Sequence, residues 1–223
     1  MNIEINTIRL LGLAQLIVFI SALLSDRLLA SVVGSDSISD ILVKVSKNLT
    51  RMRISILAAL VDSIGIVVLA VLFYTVFYEQ FKIIAFVALG FFLAEAITLA
   101  VSKMGAYALI PLSKEFVEAG APETSYFQTM GDFLYYGVDR QGYLIHNLFF
   151  SLGAILWYSL FLRSGFIPQL LSIWGLAAIL LFTIYVLLTL YDHDFPPIAG
   201  ILALPYLPFE LVLGLWLIVM GFN

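Results

Sequence analysis

The 223-residue sequence has no cysteine, only two histidines, and just 12% charged residues. Without thiols there can be no disulfide scaffold, thiolate metal site, cysteine nucleophile or Cys-attached haem. Basic side chains are also few: 11 Lys and Arg against 15 Asp and Glu give a net charge of −4. With no basic tract among them, the charge argues against nucleic acid as a partner. No phosphate loop, dinucleotide fingerprint or Gly-x-Ser-x-Gly elbow occurs either. What the chain does contain is apolar: 62% hydrophobic residues and a mean hydropathy of +1.07. An average soluble domain is about half apolar and about a quarter charged. Folding this chain in water would leave large apolar patches on its surface, so its first partner is the lipid bilayer.

A helix crosses the hydrocarbon layer with roughly 20 apolar residues. Six such runs, bounded by charge, Gly or Pro, predict an all-α polytopic protein, a single six-span domain over residues 1–223: Ile8–Ser25, Ile54–Tyr78, Ile83–Met104, Tyr143–Leu162, Pro168–Leu190 and Ile198–Phe222. The first run continues past Asp26 and Arg27 without a small-residue cleavage pattern, so it reads as an anchor and not a cleaved signal.

Two connections are long. Between the first and second spans, Ile38, Ile41, Leu42, Val45, Leu49 and Met52 share a helical face, with Asp36 and Asp40 early and Lys44, Lys47 and Arg51 late. Acids at the start and bases at the end complement the helix dipole, and Ser37 with Asp40 forms a capping pair. This pattern predicts an amphipathic helix lying on the bilayer surface. Between the third and fourth spans, residues 105–142 carry Pro122, Gly131, Gly137 and a concentration of aromatics (Tyr126, Phe127, Phe133, Tyr135, Tyr136). Tyr favours the headgroup zone, so a broken interfacial segment is expected there, with Asp132, Asp139 and Arg140 supplying its polarity.

Charge inside an apolar span is expensive and marks function by default. Three acids qualify: Asp62, Glu95 and Glu210. Each lies on the smaller or more polar stripe of its helix, beside Ser55, Ala58 and Gly65, beside Thr98 and Ser102, and beside Tyr206 and Gly214 respectively. His146, next to Asn147, is the histidine within a span, and it joins the acids as a ligand-binding or proton-linked candidate; Thr98, Asn147 and Tyr206 form the supporting polar face. No Glu-x-x-His or His-Glu-x-x-His pair occurs, so neither a metal nor another cofactor is expected. Asp192, His193 and Asp194 before Pro196 read as a solvated turn. Pro205 and Pro208 allow two readings. A helix starting near Ile198 would be broken by them and would free the carbonyls of Ile201 and Leu204, whereas a helix starting near Pro205 is simply begun by them, with Glu210 one turn in. Gly12-Leu13-Ala14 and Gly175-Leu176-Ala177 open similar apolar runs, which leaves an internal repeat open.

The run Arg163-Ser164-Gly165-Phe166-Ile167-Pro168 before an apolar span, and Glu210-Leu211 with Leu213, Leu215, Trp216-Leu217-Ile218 and Gly221, resembles the bacterial multi-pass membrane family catalogued as domain of unknown function 4386. The resemblance implies a six-span protein of the bacterial cytoplasmic (inner) membrane, with cytoplasmic termini and no assigned reaction. The basic residues point the other way: Arg9, Lys82 and Arg163 lie on the side of the termini, against eight opposite. Three functions fit. The first is non-enzymatic binding or transport of a small lipophilic or cationic ligand in a cavity lined by Asp62, Glu95 and Glu210. The second is a structural or regulatory subunit, as a homo-oligomer or with a membrane protein partner. The third is an intramembrane enzyme acting on a lipid or isoprenoid, with an acid and His146 in acid–base roles.

Overall fold

A computed structural model describes residues 5–34, 37–192 and 197–222; Asp36 and the His193, Asp194 and Pro196 positions of the expected turn lie outside them. The described residues are helical and contain no strand. In chain order the helices are α1 (Ile5–Val33), α2 (Ile38–Lys47), α3 (Leu49–Glu118), α4 (Tyr126–Asp132), a π-helix (Phe133–Arg140), α5 (Gln141–Ser164), α6 (Gln169–Tyr191), a 3₁₀-helix (Pro197–Ala203) and α7 (Tyr206–Val219). Five stretches among the described residues are long and apolar enough to cross a membrane: Ile5–Val33, Leu49–Glu118, Tyr126–Ser164, Gln169–Tyr191 and Gly200–Val219. The chain is an all-α polytopic membrane protein.

α1 runs past the expected end at Ser25 to Val33, where Gly34 takes a positive φ of 61° and ends it. Asp26 and Arg27 do not interrupt it because both are exposed, while Leu29, Val32 and Val33 continue the buried stripe. The 70 residues of α3 would reach about 105 Å if straight, more than three bilayer cores. The helix is broken at Phe81, whose φ of −136° and ψ of 41° are not helical. Rings on either side of the break confirm that the chain turns back: Phe73 and Phe92, 19 positions apart, lie 6.4 Å apart edge to face, whereas a straight helix would separate them by about 28 Å.

The described chain divides into two compact units, each assembled from separate stretches of sequence. The first comprises Met1–Phe19, Ile64–Ala96 and His146–Asn223. Its core is aromatic: fully buried Trp157 stacks on Phe73 at 5.1 Å and on Phe77 at 6.0 Å, and Phe161 meets both phenylalanines edge-on. Small residues let its helices approach closely. A Cβ on Gly12 would lie 2.8 Å from the carbonyl oxygen of Gly214, and one on Gly175 would overlap the ring of Phe209. The similar Gly-Leu-Ala openings of two spans thus each put a glycine against α7.

The second unit comprises Ile20–Ser63 and Ile97–Ile145. The expected amphipathic helix is α2, capped by Ser37, whose Oγ accepts from the Asp40 backbone N–H at 3.3 Å and donates to Asp40 Oδ2 at 2.6 Å. It ends at Lys47, and Leu49 and Met52 belong to α3. Its face of Ile41, Leu42 and Val45 is buried against protein rather than lipid, in a core with Met52, Leu109, Phe116 and Phe127. The aromatic-rich segment is also more regular than expected. α3 continues through residues 105–118, Gly120 and Ala121 turn the chain at positive φ, and α4 passes through the π-helix directly into α5.

Candidate functional site

The site in the first unit is built around α7. Its helix starts at Tyr206 with Pro205 as its N-cap, so Pro205 and Pro208 occupy the cap and first turn, where no backbone donor is needed. Trp174 Nε1 of α6 donates to the Pro205 carbonyl at 3.2 Å and ties down this start. Glu210 then stands one turn in. Tyr206 Oη donates to Glu210 Oε1 at 2.6 Å, and Gln15 Nε2 of α1 donates to the same oxygen at 3.1 Å. Because the Tyr206 proton is committed to Glu210, the 2.9 Å contact between Tyr158 and Tyr206 is a donation from Tyr158 to Tyr206. The dipoles of Tyr158, Tyr206 and Gln15 are therefore all aligned toward Oε1, and a proton or cation bound by Glu210 must sit on Oε2.

Glu210 and Glu95 line one internal cavity, together with Gln15, Tyr158 and Tyr206 and an apolar wall that includes Phe73, Phe92 and Phe150. The space open to the centre of a water molecule is about 10 Å³, room for a single water. Glu95 is only 3% exposed. His146, also buried, lies beside it: His146 Nδ1 is 3.2 Å from the Glu95 carbonyl oxygen, and since a carbonyl only accepts, Nδ1 carries the hydrogen. The imidazole thus fixes the backbone that presents Glu95, while His146 itself is not among the cavity-lining residues.

The structure brings together Glu95, Glu210, His146 and Tyr206 of the expected set. Asn147 is half-buried in the same unit, and Asp62 (buried) and Thr98 (half-buried) belong to the second unit. Gln15 and Tyr158 were not anticipated. A lone amide in the apolar run of α1 was the available signal for Gln15; nothing in sequence sets Tyr158 apart from other span tyrosines.

The second unit has its own polar cluster, which sequence reading also missed. Lys103 of α3 is ion-paired with Asp139 of the π-helix at 3.0 Å, with 5% and 0% of their side chains exposed. The Lys103 ammonium also lies 5.2 Å from the ring centre of Tyr143, whose hydroxyl donates to Asp26 Oδ2 at 3.0 Å. Asp139 Oδ2 has no hydrogen-bond partner among the described residues. Nearby in α1 and α3, Ser55 Oγ donates to the Ser25 carbonyl at 2.9 Å. Among the described residues no three His, Asp or Glu side chains are grouped to hold a metal ion.

These features define a polytopic helical membrane protein with two carboxylates on one small, largely apolar cavity. The chain belongs to the family described as Domain of unknown function (DUF4386), whose profile matches residues 10–221. Comparison with curated proteins and with solved structures returns no match.

Proposed function

We propose that the protein is a non-enzymatic binder or carrier of a small monovalent cation, the proton included, held between Glu95 and Glu210. The observation that carries this reading is the cavity itself: two carboxylates from different helices face a space the size of one water, inside an otherwise aromatic unit. Oxygens are the ligands that small hard cations take, and Gln15 adds a carbonyl oxygen beside the two acids once its amide nitrogen is used on Glu210. A cavity of this size favours the cationic over the lipophilic ligand, and it gives no support to an enzyme acting on a lipid or isoprenoid. Taking the break at Phe81 as a turn between spans, the chain crosses the membrane six times. On the family resemblance we place it in a bacterial cytoplasmic membrane with its termini inside. The basic residues on the opposite side argue less strongly than their number, because Lys103 is neutralised by Asp139 within the protein.

The test is thermal unfolding of detergent-purified wild type, Glu95→Gln and Glu210→Gln in lithium, sodium or potassium chloride against choline chloride, repeated between pH 5 and pH 8. A ligand at 100 times its Kd stabilises the folded state by about 2.7 kcal/mol. Wild type should gain stability with one of the cations or with protons, and both variants should lose that response. An identical response in all three proteins, or none in wild type, refutes the reading.

A further inference from the structure

Beside the break at Phe81, the first unit carries a second, quite different concavity. It is a groove of about 290 Å³, lined by Tyr74 from the segment before the break and by Lys82, Ile83, Phe86 and Val87 after it. Ile83, Phe86 and Val87 fall at i, i+3 and i+4, so they form one stripe. They are 79%, 63% and 45% exposed, so the groove is open along its side. Tyr74 closes its other wall, with its ring 6.2 Å from Phe86 and 5.2 Å from Tyr78. Lys82 is the charged residue of the lining, and its ammonium is held 5.3 Å from the centre of the Tyr78 ring. Although Glu79 is close in sequence, Lys82 makes no ion pair among the described residues.

We propose that this groove binds an anionic phospholipid, with its phosphate on Lys82 and an acyl chain along Tyr74, Ile83, Phe86 and Val87. A tyrosine-anchored lysine at a helix break belongs at headgroup depth, and the apolar stripe leads from it along a membrane-facing helix. An anionic headgroup supplies the counter-charge that Lys82 lacks, and a hydrocarbon chain is the only part of the membrane that matches walls this apolar. A second copy of the same face would supply no counter-charge, because the groove lining carries Lys82 and no acid. The site is separate from the Glu95–Glu210 cavity and does not depend on the reading of that cavity.

One basic residue near the membrane surface is worth about 1 kcal/mol toward anionic lipid, which is about a fivefold preference. Native mass spectrometry of the protein with equal amounts of phosphatidylglycerol and phosphatidylcholine of matched chains reads this directly. Wild type should retain phosphatidylglycerol about fivefold over phosphatidylcholine. Lys82→Gln should abolish the preference, while Lys114→Gln, an exposed lysine of the other unit, should keep it. Val87→Trp, which fills the groove, should lower retention of both lipids. Equal retention by wild type, a preference that survives Lys82→Gln or is lost in Lys114→Gln, or retention unaffected by Val87→Trp overturns the proposal.

Discussion

Separating Lys103 from Asp139 should be among the most damaging changes available in the second unit, and replacing both residues together among the least. The pair is 3.0 Å apart, and water has almost no access to either side chain. Asp139→Leu leaves an ammonium buried with no ion-pair partner, compensated by the face of Tyr143, about 0.5–2 kcal/mol, and by the longer-range attraction of Asp26. Lys103→Met leaves a carboxylate buried with neither oxygen bonded among the described residues. Each single substitution should therefore cost about 3–5 kcal/mol. In the double variant both desolvation penalties vanish, including about 1–3 kcal/mol carried by the unpartnered Oδ2. The double variant should thus be within about 1 kcal/mol of wild type or above it. The assay is unfolding in mixed micelles of rising SDS fraction, followed by helicity, because all three tryptophans (Trp157, Trp174 and Trp216) lie in the other unit. Single variants costing under about 1 kcal/mol, or a double variant whose cost is the sum of the singles, would refute the buried-pair argument.

Gly12→Ala and Gly175→Ala each push a methyl group into α7, against a backbone carbonyl or the fully buried Phe209 ring, and each should lower thermal stability by about 1–3 kcal/mol. Gly90→Ala meets nothing within 4 Å on the same helical system and should be neutral or gain up to about 1 kcal/mol; equal losses in all three would disprove the close-approach explanation. Tyr206→Phe removes the donor to Glu210 and the acceptor for Tyr158, and should cost about 1–3 kcal/mol, whereas Tyr158→Phe removes one neutral bond and should cost about 0.5–1.5 kcal/mol. If thermal unfolding reverses that order, the donation runs from Tyr206 to Tyr158 and the chain does not end on Glu210.

The all-α polytopic class was legible because the bilayer imposes a length and a composition that each apolar helix must satisfy locally. The turn at Phe81 was legible for the same reason: Glu79, Gln80 and Lys82 interrupt the apolar pattern even though no Gly or Pro marks the place. Local charge misled at α1, where Asp26 and Arg27 suggested an end. An exposed charge on a helix whose opposite stripe stays apolar costs little, and Asp26 has a partner in Tyr143, 117 positions away. The same distinction divides the candidate site. Glu95 and Glu210 announce themselves, since a carboxylate in a span is costly wherever it lies. Gln15 and Tyr158 are cheap enough to be placed anywhere, and only contact with Glu210, 195 positions from Gln15 along the chain, gives them a role. Lys103 shows the limit most clearly. Counted in sequence it is one more basic residue at a span end, and so a sign of orientation. Folded, it is cancelled by Asp139, an acid presented by a π-helix that no local pattern specifies. A charge tally treats every basic residue as facing water or headgroups, so its bearing on topology weakens with each base that pairs inside the protein.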